Sequence, residues 1–140
     1  MSFLLDTCVL SEFAKRVPSP VVSRWLDEQE ERGLFITTVS IGEMEKGIAA
    51  LRDAGRQRKM RTFLENAIVD RFRERILETT GVVWRRWGAL SGAAQRVGKT
   101  LPAIDGILAA VALTHGLTVA TRNEADFKRC GVSLVNPWSI

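Results

Sequence analysis

At 140 residues and 15.6 kDa, with 46% hydrophobic and 26% charged residues, the chain has the composition of one folded globular domain. Its 11 Gly and 4 Pro are too few for a fibrous or low-complexity protein. Cys8 and Cys130 stand far apart without CxxC spacing, which excludes a disulfide framework and a cysteine-rich zinc site, and a single His115 excludes a His-rich metal centre.

In chain order, Phe3-Leu4-Leu5 reads as a short buried strand ending at Asp6-Thr7. Ser19-Pro20 is an N-cap followed by proline at the first helical position, predicting a helix through Trp25 and Leu26 to about Glu31, closed by Gly33. Leu34 to Thr37 is again strand-like. Ser40 with Glu43 three residues on has the form of a capping box opening a helix that carries Ile41, Met44, Ile48 and Leu51. Gly55 separates it from a second helix, Arg56 to about Arg73, with an apolar face of Met60, Phe63, Leu64, Ala67 and Ile68. Ile76 to Glu78 is a brief strand, and Thr79 or Thr80 starts a helix bearing Val83, Trp84, Trp87, Leu90 and Ala94. The three-residue spacing of Trp84 and Trp87 predicts that both rings are buried. Pro102 opens the most apolar helix, Ala103 to Thr114, which ends at Gly116 with His115 in its last turn. Leu117 to Ala120 and Val132 to Val135 read as further strands, with one helical turn between them around Asp126 and Phe127.

Short apolar strands alternating with amphipathic helices predict a three-layer α/β/α domain with a parallel central sheet. In such sheets ligands bind beyond the carboxyl ends of the strands, which directs attention to Asp6 and to the segment Thr121 to Asp126. No apolar run is long enough to span a bilayer, the longest being Ile107 to Leu113. The N-terminus shows no basic leader or cleavage site, so a cytoplasmic protein is expected.

The net charge of +4 is unevenly spread. Between Arg52 and Lys99 there are twelve basic and five acidic residues, a balance of +7 against −3 for the remainder. A basic helical hairpin of this kind attracts a polyanion such as nucleic acid, or is a solvated face partly paired with its own acids.

Most carboxylates lie on charged helical faces, but four do not. Asp6 follows an apolar strand, and Asp105 is the sole acid of the helix Ala103 to Thr114. Each has a local explanation. Asp6 suits a turn, Glu43 a capping box, Asp105 the positive end of a helix dipole, and Asp126 the cap of a short turn. Taken together they are the oxygen donors that Mg²⁺ or Mn²⁺ requires, and a cation so held activates water for attack on a phosphodiester without any protein nucleophile. Beside a basic surface, such a site suits nuclease chemistry.

The stretches Leu4-Leu5-Asp6-Thr7-Cys8-Val9-Leu10-Ser11-Glu12, Thr38-Val39-Ser40-Ile41-Gly42-Glu43-Met44, Leu101-Pro102-Ala103-Ile104-Asp105 and Ala120-Thr121-Arg122-Asn123-Glu124-Ala125-Asp126-Phe127, with Asn136-Pro137-Trp138 near the end, resemble the PIN-domain ribonucleases. The resemblance is particularly to the VapC-type toxins of bacterial toxin-antitoxin pairs and their FitB-like branch. It spans nearly the whole chain, and so implies one PIN-like nuclease domain over residues 1–140 with a five-stranded parallel sheet. It further implies Asp6, Glu43, Asp105 and Asp126 as catalytic, metal-binding acids, Mg²⁺ or Mn²⁺ as cofactor, and RNA as the substrate. Thr7 and Thr121 would orient ligands from behind, Asn123 occupies a variable position of the motif, a VapB-like antitoxin would be the cognate partner, and the toxin would be a homodimer. The first motif departs from its relatives, which usually read Asp-Thr-Asn where this chain has Cys8. A thiol is a weak hydrogen-bonding group and a poor ligand for a hard cation, so Cys8 is read as a small core residue.

Two other functions fit parts of the sequence. A phosphoaspartyl domain also places an Asp after its first strand, but Asp6-Thr7-Cys8 lacks the second Asp of the haloacid dehalogenase pattern and no Lys follows a late strand as in receiver domains. A non-catalytic nucleic-acid-binding module would use the basic hairpin alone.

Overall fold

The computed structural model describes residues 1–140. Strands β1 (Phe3–Leu5), β2 (Leu34–Thr37), β3 (Ile76–Leu77), β4 (Thr118–Ala120) and β5 (Leu134–Val135) form one sheet in the order β3-β2-β1-β4-β5. Every pairing is parallel, with Leu4 beside Phe35 on one side and beside Val119 on the other. The helices are α1 (Thr7–Leu10), α2 (Pro20–Asp27), α3 (Thr38–Ala49), α4 (Ala54–Phe63), α5 (Gly81–Arg96), α6 (Ala103–His115) and α7 (Glu124–Lys128).

Alternation along the strands divides the core in two, because successive side chains leave opposite faces of a sheet. Phe3 and Leu5 pack with Val9, Leu10, Trp25, Leu34, Ile36, Ile48 and Ile68. Leu4, between them, points to the other side, where it joins Val83, Val119, Phe127 and the run Leu108 to Ala112 of α6. Both faces of β1 are therefore covered, which is why its three residues are all apolar. Leu4 and Leu5 are fully buried, and each such side chain stabilises the fold by about 1.5–3 kcal/mol.

The strand order fixes where a site can form. From β1 the chain proceeds outward through β2 and β3, then returns to β4 on the opposite side of β1. The crevice at the carboxyl ends of β1 and β4 is thus the switch point of the sheet, the usual ligand position in open α/β folds. Asp6 follows β1 there, and Thr121 follows β4.

Several elements differ in detail from the sequence reading. Helix α2 stops at Asp27, four residues before the expected Glu31, and a 3-10 turn Glu31–Gly33 leads into β2. Ser40 caps nothing. The cap of α3 is Thr37, whose hydroxyl accepts from the Val39 amide at 3.1 Å. The helix expected from Arg56 to Arg73 instead begins at Ala54, capped by Asp53, and passes at Leu64–Val69 into a π-helical segment closed by a 2.9 Å bond from the Asp70 amide to the Glu65 carbonyl. Leu64, Ile68 and Phe72, four apart, all reach the core.

Trp84 is 45% exposed, contrary to the expectation that both tryptophans are buried. Its ring meets Trp87 edge to face at 5.5 Å, so the spacing makes the rings touch while only Trp87 reaches between the helices. The Cβ a side chain would add at Gly106 lies 3.2 Å from that Trp87 ring, so glycine is what lets α5 approach α6. Gly116, at φ 66°, ends α6 in the left-handed conformation that glycine adopts without steric cost. No helix is long and apolar enough to cross a membrane.

Candidate active site

Asp6 leaves the end of β1 as the N-cap of α1 and is only 7% exposed. Its Oδ1 accepts from the Thr7 amide at 2.7 Å, and its Oδ2 accepts from the Thr121 hydroxyl at 2.7 Å. Burying a carboxylate is costly unless hydrogen bonds replace its lost water, and these donors do so. Thr121 is itself fully buried, and its Oγ1 also accepts from the Asn123 amide at 2.9 Å.

Glu43 lies one turn into α3, and its Oε1 accepts from the Thr7 hydroxyl at 2.6 Å, with the buried Ser40 Oγ 3.1 Å from the same Thr7 oxygen. The capping-box reading of Ser40 and Glu43 is therefore replaced by a contact between α3 and the first turn of α1. Asp105 is in the first turn of α6, where the helix dipole favours its charge. Asp126 is in α7. The side-chain amide of Asn123 donates to both, at 2.7 Å to Asp105 Oδ2 and 3.0 Å to Asp126 Oδ2.

The other three acids act on Asp105. Burial first, and then the charges of Asp6, Asp126 and Glu43, push the Asp105 carboxyl from 3.8 up to about 6. Asp126 moves the other way, held below its ordinary value first by the Asn123 amide and then by its ion pair with Arg129. The donors are all hard oxygens of the kind Mg²⁺ and Mn²⁺ prefer. As the side chains stand, however, no three of the chain's Asp, Glu, His or Cys groups converge closely enough to chelate one ion. Asp6 and Glu43 spend oxygens on Thr7 and Thr121, while the Asn123 amide bridges the other two. The donor set fits a divalent cation in chemistry and charge.

Cys8 is half-buried, with its Sγ 3.6 Å from Asp6 Oδ2 and 3.8 Å from Thr121 Oγ1. It lies behind the Asp6 carboxylate, at the edge of the core, and burial and the Asp6 charge push its thiol up. Arg129 was not singled out in the sequence, and Ser40 was read only as a helix cap. Arg129 was legible from its i+3 spacing to Asp126 on one short helix, whereas Ser40 joins the site only through tertiary packing.

From Thr7 and Glu43 a cavity of about 280 Å³ runs between α3 and α4, walled by Met44, Ile48, Met60 and Phe63 and reaching Arg56. The basic hairpin is less free than its composition suggests. Arg71 pairs with Glu31 through two bonds of 2.8 and 2.9 Å, and Arg61 and Arg73 pair with Glu45 and Asp70.

The fold is a parallel α/β sheet with Asp6 at its switch point and with Asp105 and Asp126 joined through the Asn123 amide. The PIN domain profile matches residues 3–132, and the chain belongs to the PIN-domain family. It is 32% identical to the VapC ribonuclease Y4jK of Sinorhizobium fredii over 96% of each chain. To the toxin FitB of Neisseria gonorrhoeae it is 33% identical, over 96% of this chain and 97% of that one. In structure it resembles a chain of FitAB bound to an IR36 DNA fragment, with a TM-score of 0.90 and 32% identity over 99% of this chain and 96% of that one. The five-stranded parallel sheet expected from the sequence is the fold observed.

Proposed function

We propose that this chain is a metal-dependent endoribonuclease that hydrolyses RNA phosphodiester bonds with Mg²⁺ or Mn²⁺, and that it acts as the toxin of a toxin-antitoxin pair. The observation that carries the reading is the hydrogen-bonded grouping of the acids, Asp6 with Thr121, Glu43 with Thr7, and Asp105 and Asp126 through Asn123, where burial first and then the neighbouring charges raise the Asp105 carboxyl to about 6. The Asp105 carboxylate is disfavoured by its burial and by the acids near it, and a bound cation would compensate that charge. The similarity to the ribonuclease Y4jK and the toxin FitB supports the same reading.

In this mechanism Asp6, Glu43, Asp105 and Asp126 would hold the divalent ion. When bound, such an ion neutralises charge at the phosphoryl group and acidifies water for attack. Thr121 fixes Asp6 through its 2.7 Å hydrogen bond, and Thr7 fixes Glu43 at 2.6 Å, so both carboxylates are oriented before substrate arrives. Asn123 keeps Asp105 and Asp126 together.

Purified protein incubated with RNA is expected to cut it in Mg²⁺ or Mn²⁺ and to lose that activity in chelator. RNA left intact across varied substrates in both metals overturns the reading, and RNA binding that survives chelator without cleavage favours a non-catalytic module instead. The chain is further proposed to be a single domain, a homodimer and a cytoplasmic protein, with a VapB-like antitoxin as its partner, by analogy with the FitAB assembly on DNA. Sedimentation of the protein alone and with that partner tests the dimer and the complex.

A further inference from the structure

Any phosphodiester that reaches this site must approach four carboxylates, and a polyanion does so only where cations offset them. The segment from β4 to α7 that carries Thr121, Asn123 and Asp126 also carries two arginines, Arg122 and Arg129. Arg129 is committed to Asp126 by an ion pair. Arg122 lies between Thr121, which holds Asp6, and Asn123, which holds Asp105 and Asp126. It is exposed and forms neither an ion pair nor a side-chain hydrogen bond. Its guanidinium carbon instead sits 4.0 Å from the centroid of the Trp138 ring.

That stacking is built by the end of the chain. The Thr121 amide donates to the Val135 carbonyl of β5 at 3.0 Å. The next turn is fixed by Asn136, whose Oδ1 accepts from the Trp138 amide at 3.0 Å and whose Nδ2 donates to Glu124 at 3.2 Å. The Arg122 charge is felt by Glu12, which is only 3% exposed. Burial alone would raise the Glu12 carboxyl, but Lys15, the Ser19 amide and the Arg122 charge bring it below its ordinary value. Its oxygens are taken by Lys15 and by the Ser19 amide at 2.8 Å. Glu12 thus attracts Arg122 without occupying its donors. A planar guanidinium stacked on an aromatic face keeps its edge N–H groups free, the arrangement suited to a phosphate.

We propose that Arg122, held against Trp138, is a phosphate clamp that binds the backbone of single-stranded RNA beside the acidic site. This assignment rests on the reading of the site as one that acts on RNA. Arg122 is a binding residue, and Trp138 is a positioning residue acting through it.

The test is fluorescence anisotropy of a labelled single-stranded RNA of mixed sequence, titrated with the full-length protein in Ca²⁺ at several salt concentrations. Arg122→Gln is expected to weaken binding about tenfold, as loss of one charge-assisted contact does, and to reduce the slope of log affinity against log salt by about 0.7. Trp138→Ala is expected to weaken binding less, and the double variant to bind no more weakly than Arg122→Gln alone. A merely structural Trp138 would leave the salt slope of the RNA complex unchanged. Affinity and slope identical to wild type in Arg122→Gln overturn the clamp, as does a wild-type protein that does not bind RNA. A slope change in a protein that never cleaves RNA in Mn²⁺ upholds the clamp and overturns the nuclease reading.

Discussion

The Thr121 hydroxyl donates a 2.7 Å hydrogen bond to Asp6 Oδ2, joining the ends of β4 and β1 across 115 positions of sequence. The same oxygen accepts from the Asn123 amide, so one fully buried hydroxyl links Asp6 to the residue that bridges Asp105 and Asp126.

Thr121→Val keeps the shape of the side chain and removes the donor. It is expected to lower stability by about 1–3 kcal/mol, the usual cost of leaving a buried polar group without its partner. Thr121→Ser restores most of the loss because it returns the hydroxyl. Chemical denaturation of the three proteins measures this, and equal stability of Val and wild type would show that Asp6 does not depend on Thr121.

Asp105 makes stability depend on pH with a definite sign. Its folded carboxyl titrates near 6 and its ordinary value is 3.8, so between those limits the folded state binds more protons than the unfolded one. In chelator, its contribution to stability therefore grows as pH falls from about 6 toward 4, and its cost is fully present above 6. Asp105→Asn is expected to melt higher than wild type at pH 7 in chelator, with the difference closing near pH 4. Melting curves at the two pH values decide this, and a wild type that melts higher at pH 7 contradicts it.

Arg75 ties the chain after the π-helical segment to the start of β2. It donates to the carbonyls of Glu31, Leu34 and Arg71 at 2.6, 2.6 and 2.7 Å. Arg75→Ala is expected to cost about 1–3 kcal/mol. Glu31→Gln, at a half-exposed pair, should cost no more than about 1 kcal/mol. Arg71 chiefly holds the Glu31 carboxyl below 4.5. The Glu31 contribution is present above that value and is lost as pH falls through the lower folded one. Urea unfolding of both variants at neutral and acid pH checks the ranking, and a greater loss for Glu31→Gln than for Arg75→Ala reverses it.

Gly106→Ala places a methyl 3.2 and 3.3 Å from Trp87 Cδ1 and Nε1, in the residue next to Asp105. The Trp87 ring must give by a few tenths of an ångström, and such overpacking is expected to cost about 1–3 kcal/mol and to shift the first turn of α6. Cleavage is expected to fall more in this variant than in Ala93→Ser, which lies later on α5. Equal activity of the two separates Asp105 placement from the α5–α6 contact.

Much of this arrangement was legible in the sequence because its signals are local. Leu4 and Leu5 before Asp6 marked a strand end, Ser19-Pro20 a helix start and Gly116 a helix stop, and each stands where it was read. The pairing of Ser40 with Glu43 misled because the same two residue types serve a capping box and a site. Only the parallel register that brings α1 beside α3 decides between them. The π-helical turn at Leu64–Val69 has no composition of its own, since its hydrogen bonds differ from those of an α-helix only by a step of one residue. The bridging role of Asn123 was hidden because Asp105 lies eighteen residues away.

The claim on which the rest depends is that Asp6, Glu43, Asp105 and Asp126 jointly hold a divalent ion. Calorimetric titration of chelator-stripped protein with Mn²⁺ measures it directly, on wild type and on Asp6→Asn, Glu43→Gln, Asp105→Asn and Asp126→Asn. The account predicts saturable binding by wild type that weakens by about tenfold or more in the Asp6 and Asp105 variants and to a lesser degree in the other two. Binding of equal strength in wild type and all four variants would contradict it.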